Sequence, residues 1–147
     1  MKSMKLMTLA ALTFALAACG GPAASAPAPA GEVAAEAAVV DLAGLPRDLD
    51  AATTASLDAR DDVVLIDVRE QDEWDAGHIA GATLIPSSQL QSRWQEIPTD
   101  KTVIVYCRSG NRSNVATDFL KQQGLTNVHN MTGGVIAWEA AGLTLEQ

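Results

Sequence analysis

Val103-Ile104-Val105-Tyr106-Cys107-Arg108-Ser109-Gly110-Asn111-Arg112-Ser113 is an apolar run that stops at a thiol and opens into a short loop holding one glycine and two arginines. Val103 to Tyr106 favour β structure and predict a strand that delivers Cys107 to the C-terminal edge of a sheet; the polar Ser113-Asn114 pair predicts the start of a helix. The loop between them wraps around the sulfur. Its backbone N–H groups and the positive end of the helix dipole converge on one point, where Arg108 and Arg112 add formal charge. Such a site favours thiolate and binds anions.

Outward from this run, Val63 to Ile66, Thr83 to Ile85 and Asn127 to Met131 also read as strands, and helical patterns fall at 51–59, 70–76, 88–95, 113–123 and 135–141. Their alternation predicts an α/β fold, a central parallel sheet covered by helices on both faces, with ligands gathering outside the carboxyl ends of the strands. Asp67 and Cys107 both lie at that edge. In the helix after the loop, Val115, Phe119 and Leu120 read as core and Gly124 as the stop.

The chain has 147 residues and a net charge of −8, which suits one compact domain with an appendage. Lys2 and Lys5 precede the apolar stretch Leu6 to Ala18, too short for a typical membrane span, so residues 1–18 read as a secretory signal. The stretch ends in Leu16-Ala17-Ala18-Cys19, which resembles the bacterial lipobox and implies lipidation of Cys19 after cleavage. Residues 19–38, rich in Ala and Pro, read as a tether, and residues 39–147 as the folded domain. Gly20 stands where an Asp tends to retain Gram-negative lipoproteins at the inner membrane, so the expectation is a periplasm-facing domain on the outer membrane if the organism is Gram-negative. Loss of the two leader lysines leaves eight bases against 18 acids, a charge of −10 that disfavours nucleic acid. Of the two cysteines, Cys107 is then the one free thiol in an exported chain, and chemistry is the economical reason for it.

Three segments in order resemble the rhodanese family of sulfurtransferases. Leu65-Ile66-Asp67-Val68-Arg69-Glu70, Glu73-Trp74 and Gly77-His78-Ile79-Ala80-Gly81-Ala82 through Ile85-Pro86 resemble its first signature; Cys107 to Ser113 resembles its active-site loop; Gly133-Gly134-Val135-Ile136-Ala137-Trp138 with Gly142-Leu143 resembles its closing one. The resemblance implies a three-layer rhodanese-like domain in which thiolate Cys107 takes a sulfane sulfur from thiosulfate or a related donor, forms a persulfide and passes the sulfur to cyanide or a thiol, without cofactor. Arg108, Ser109, Gly110, Asn111, Arg112 and Ser113 are then the anion-binding loop. Arg112 is expected to face inward and Arg108 to line the entrance, while Ser113 is as well suited to capping the helix. Asp67 and Arg69 are expected to support the loop, Asp67 by bonding it or orienting an arginine and Arg69 by pairing with a carboxylate such as Glu73.

His78 reads as a turn-fixing residue, since sulfur transfer to a thiolate needs no base. His129 has no acid or cysteine partner at ligand spacing, so no metal site is expected. Trp74, Trp94 and Trp138 read as core or interface aromatics. A phosphatase of the same fold is the nearest enzymatic rival, but its loop takes six steps from Cys to Arg; Cys107 to Arg112 takes five, a narrower cradle suited to sulfur. A persulfide carrier or a binding module with a thiol-protein partner is the alternative of another class.

Overall fold

The structure is a computed structural model that describes residues 40–147. The leader, Cys19 and the tether lie outside the described residues. Five strands form one wholly parallel sheet: β1 (Asp48–Leu49), β2 (Val63–Asp67), β3 (Thr83–Leu84), β4 (Thr102–Tyr106) and β5 (Val128–Met131), in the spatial order β1-β5-β4-β2-β3. Five helices complete it: α1 (Ala51–Leu57), α2 (Gln71–Asp75), α3 (Leu90–Arg93), α4 (Asn111–Gln122) and α5 (Gly134–Ala140). Short 3-10 turns lie at Leu42–Gly44 and Trp94–Glu96. The α/β expectation and its central parallel sheet hold. The two-residue edge strand β1 has no counterpart in the sequence reading, because two residues carry no periodicity.

β2 and β4 are the centre of the sheet, paired from Val63↔Thr102 to Asp67↔Tyr106. Their apolar runs follow from burial on both faces, which removes any need for polar alternation. Side chains still alternate by face. Ile66, Val68, Val103, Val105 and Cys107 join Leu90, Ala116 and Leu120 in one core cluster, under α3 and α4. Val63, Leu65, Ile104 and Tyr106 join Leu57, Val135 and Trp138 in the other, under α1 and α5. The sulfur therefore points to the α4 side of the sheet, and Asp67, paired with Tyr106, to the α5 side.

The chain leaves β2 toward β3 on one side and leaves β4 toward β5 on the other. This divergence opens a crevice beyond the carboxyl ends of β2 and β4, the usual place for a ligand in such sheets. The sequence places Cys107 there.

Two expectations for α4 change. The helix begins at Asn111, two residues before the expected start, with Gly110 at the N-cap in the left-handed region (φ 90°). Its buried stripe is Ser113, Ala116, Thr117 and Leu120, the i, i+3, i+4, i+7 pattern, so Val115 points outward and is 67% exposed rather than core. Phe119 packs partly against the core, and Leu120 is fully buried.

Candidate active site at the Cys107 loop

A loop that presents N–H groups to a sulfur must send its carbonyls elsewhere. Here α5 receives them: Val135 N–H donates to the Cys107 carbonyl (2.9 Å) and Ile136 N–H to that of Arg108 (3.1 Å). These are first-turn N–H groups of α5, which have no partner within their own helix. The two backbones approach so closely that a side chain at Gly134 has no room; a Cβ there would sit 2.2 Å from the Cys107 oxygen. At Gly110, with φ +90°, a Cβ would meet Gly133 nitrogen at 2.8 Å. Both glycines are thus required by the loop.

With the carbonyls turned away, the amides turn in. Gly110 N–H donates to Cys107 Sγ at 3.2 Å, and no side chain caps α4. The sulfur takes the place of the capping oxygen that a helix N-terminus ordinarily recruits. Burial raises the Cys107 pKa, but the amides of Ser113, Ser109 and Gly110 and the Ser113 hydroxyl outweigh it, so the thiol is held below its ordinary range. Cys107 is 1% exposed. The arrangement makes a shielded thiolate among donors, suited to nucleophilic attack and to holding an anion.

Ser113 is not a cap. It occupies the third residue of α4, fully buried, with its hydroxyl 3.6 Å from Cys107 Sγ, 3.1 Å from the Gly110 carbonyl and 2.7 Å from Asn130 Oδ1. Arg112 forms two bonds to Glu73, 2.6 and 2.7 Å, and so reaches sideways to α2 rather than onto the sulfur. The Glu73 bonds and, further off, the Cys107 charge raise the Arg112 pKa, while Arg112 holds the Glu73 carboxyl below its usual range. Arg108, Ser109 and Asn111 are exposed. Asn111 lines two cavities: a groove of about 640 Å³ with Leu90, Arg112, Val115 and Phe119, and a polar pocket of about 360 Å³ with Asp48, Ser109 and Asn130.

Arg69 does not pair with Glu73. Its guanidinium is forked onto Asp67 (2.7 and 2.8 Å), donates to the Gly77 carbonyl and lies 5.9 Å above the Tyr106 ring. Both side chains are at most 5% exposed. Since Asp67 faces the α5 side of the sheet, the pair sits behind the Cys107 strand and makes no hydrogen bond to the loop. His78 Nδ1 lies 3.2 Å from the Trp74 carbonyl, its ring stacks on Trp74, and its backbone pairs with Glu146. His129 Nδ1 meets the Pro46 carbonyl at 2.7 Å. Among the described residues no cluster of His, Cys, Asp or Glu forms a metal site.

The model of the rhodanese-like domain matches residues 50–141. The chain belongs to the rhodanese family. A protein of Allochromatium vinosum named sulfurtransferase is 44% identical over 85 residues, 58% of this chain and 79% of that one. The thiosulfate sulfurtransferase GlpE of Pseudoalteromonas translucida is 36% identical over 90 residues, 61% and 86% of the two chains. The crystal structure of a rhodanese-related protein from Thermoplasma volcanium superposes with a TM-score of 0.63 at 35% identity, covering 69% of this chain and 98% of that one. Coverage of other relatives is lower: the rhodanese-like stretch spans 59% of a Bacillus subtilis protein and 21% of a Mycobacterium tuberculosis one.

Sequence reasoning missed Glu73 as the partner of Arg112, Asn130 as the partner of Ser113, and the reason for Gly134. The first two are contacts across 39 and 17 residues, for which one sequence carries no signal. Gly134 could have been found: a Gly-Gly pair just after a strand marks close backbone approach.

Proposed function

We propose that the domain is a sulfurtransferase that works through a persulfide on Cys107. The carrying observation is a buried thiol held below its ordinary pKa by N–H donors, with no carboxylate or imidazole bonded to the sulfur. A hydrolase would need a group to activate water; attack on a sulfane sulfur needs only the thiolate. In the first step the Cys107 thiolate attacks the outer sulfur of thiosulfate, an S–S bond forms to Cys107, the donor's S–S bond breaks, and sulfite leaves with the electron pair. In the second, cyanide or a thiolate takes the outer sulfur and Cys107 returns as thiolate. The name of the Pseudoalteromonas relative supports thiosulfate as donor, and the five-step loop supports sulfur over phosphate.

Incubation with thiosulfate should add one sulfur, about 32 Da, to Cys107 with release of one sulfite, and cyanide should then remove it as thiocyanate. Cys107→Ser should abolish all three. Loading that persists in C107S would overturn the mechanism; stable loading with no acceptor turnover would make the domain a carrier.

We further propose that this chemistry sits on the cell envelope. The charged-then-apolar leader and Cys19 support a lipid anchor, with Gly20 favouring the outer membrane in a Gram-negative host. Labelling of the full chain with a fatty acid in a bacterial host, lost in Cys19→Ser, tests it.

A further inference from the structure

A buried hydroxyl has one proton to give. Ser113 Oγ has three acceptors in reach, and the shortest contact, 2.7 Å, is to Asn130 Oδ1, against 3.1 Å to the Gly110 carbonyl and 3.6 Å to Cys107 Sγ. Asn130 is itself 3% exposed, and its Nδ2 donates to Asp48 Oδ1 at 2.8 Å. Asp48 is ionised: the Asn130 amide and Arg47 hold its carboxyl below the usual range. A carboxylate accepts and cannot donate, so it fixes the amide with nitrogen toward Asp48 and oxygen toward Ser113. That oxygen in turn claims the Ser113 proton. The hydroxyl then meets sulfur with a lone pair, a good partner for S–H and a poor one for S⁻.

We propose that Asp48 and Asn130 are positioning residues of the sulfur site, a hydrogen-bonded chain from the polar pocket to Cys107 that sets which way the Ser113 hydroxyl points. This rests on Cys107 being the nucleophile. When the thiol proton leaves to solvent, the Ser113 hydroxyl must rotate onto the thiolate and give up its bond to Asn130. The chain therefore opposes the loop amides. It keeps the thiolate from being held too tightly, and a less stabilised thiolate is the better nucleophile.

Other charges surround the chain. Arg47 bonds Asp48, Asn114 and Asp118, and Lys121 adds a positive field at Asp48. Beyond the sulfur, Arg112 is bonded to Glu73, and Asp67, Arg69 and Tyr106 lie on the opposite face of the sheet. None of these side chains bonds Ser113 or the Asn130 amide, and Arg47 meets Asn130 only through its backbone carbonyl, which accepts from the Asn130 N–H at 2.7 Å, so exchanging Asp48 for its neutral isostere tests the chain itself. Asp48→Asn lets the Asn130 amide reverse, donate to Ser113 and leave the serine proton for sulfur.

The test is the pH profile of Cys107 alkylation by iodoacetamide in wild type, D48N, S113A and the double variant, with folding checked by thermal melts. D48N should move the midpoint of the profile down, S113A should move it up, and D48N should have no effect in the S113A background. Equal downward shifts in both backgrounds would mean a field effect of the Asp48 charge, and no shift in either would mean no coupling; each overturns the proposal. Failure of the persulfide reading would show separately, as absence of sulfur loading with the alkylation shifts intact.

Discussion

Two neighbouring strands end in buried polar groups, and they end differently. At the end of β2, Asp67 and Arg69 close on each other through three side-chain hydrogen bonds, shut off from solvent and with their charges cancelled. At the end of β4, Cys107 stands among donors with no counter-charge bonded to it, and Arg112 of its loop is bonded to Glu73 instead. The first arrangement is complete and has nothing left to bind. The second has an excess of donors, which is what an anionic reactant requires. The difference shows that buried polarity marks a reactive site only when its hydrogen bonds are left over.

The sharpest way to break the contrast is to open the closed end. Arg69→Met leaves the Asp67 carboxylate buried without its counter-charge, with only the backbone N–H of residue 69 still bonded to it, and breaking one side of such a pair costs roughly 3–5 kcal/mol. A melting temperature lower by more than about 10 °C is expected, since ~1 kcal/mol shifts a domain of this size by about 4–8 °C. Sulfur loading by the protein that remains folded should stay within a few-fold of wild type. A larger loss of loading at full folding would place Arg69 in the site.

Next is the open end. Gly134→Ala drives a Cβ into the Cys107 carbonyl, and overlap plus left-handed strain should cost about 2–4 kcal/mol. Here loading should fall with stability, because the displaced carbonyl carries the loop amides with it. Stability lost without loss of loading would mean that the loop holds its own shape.

A third measurement reads the donors directly. Thiolate is the reactive form and its pKa is lowered, so alkylation and loading should rise with pH through a midpoint below that of a free cysteine. A midpoint at or above that value would mean that burial outweighs the amides.

The smallest effect belongs to the bond that joins the two regions. Glu73→Gln should free Arg112 and move the Cys107 midpoint down, as an offset charge is removed. The Glu73 carboxyl is depressed, so its contribution to stability is present above the ordinary carboxylate range and is lost as pH falls through its folded value. Wild type should therefore melt above E73Q near neutrality, and the two should converge below pH ~4. Parallel curves down to acid would show that the ion pair adds nothing.

The parts of this molecule legible from sequence are those in which a local run repeats a physical rule. Val103 to Tyr106 and Val63 to Ile66 are apolar because both faces are covered, and the thiol at the end of one follows from the run alone. The start of α4 is not legible because Ser113-Asn114 has the composition of a cap, whereas the capping acceptor is the sulfur three residues before Gly110. Val115 reads as core because the true buried stripe is carried by Ser113, Ala116 and Thr117, small and polar residues with no apolar signal, while the one valine of the helix points outward. Arg69 is expected to pair with a carboxylate such as Glu73, yet the backbone leaving β2 folds it onto Asp67, two residues back. Asn130 looks like any strand residue until Ser113 is seen opposite it.

The bonds from Val135 and Ile136 to the loop have a consequence for the order of assembly. A ribosome completes Cys107, both arginines and the whole loop well before it reaches the segment that orients them. Until residues beyond Gly133 have been made and have docked, two carbonyls lack their N–H partners and the amides have no reason to face the sulfur. A segment made after the loop thus arms the thiol, and a nascent chain or one cut before Gly134 carries every residue of the loop and only an ordinary cysteine.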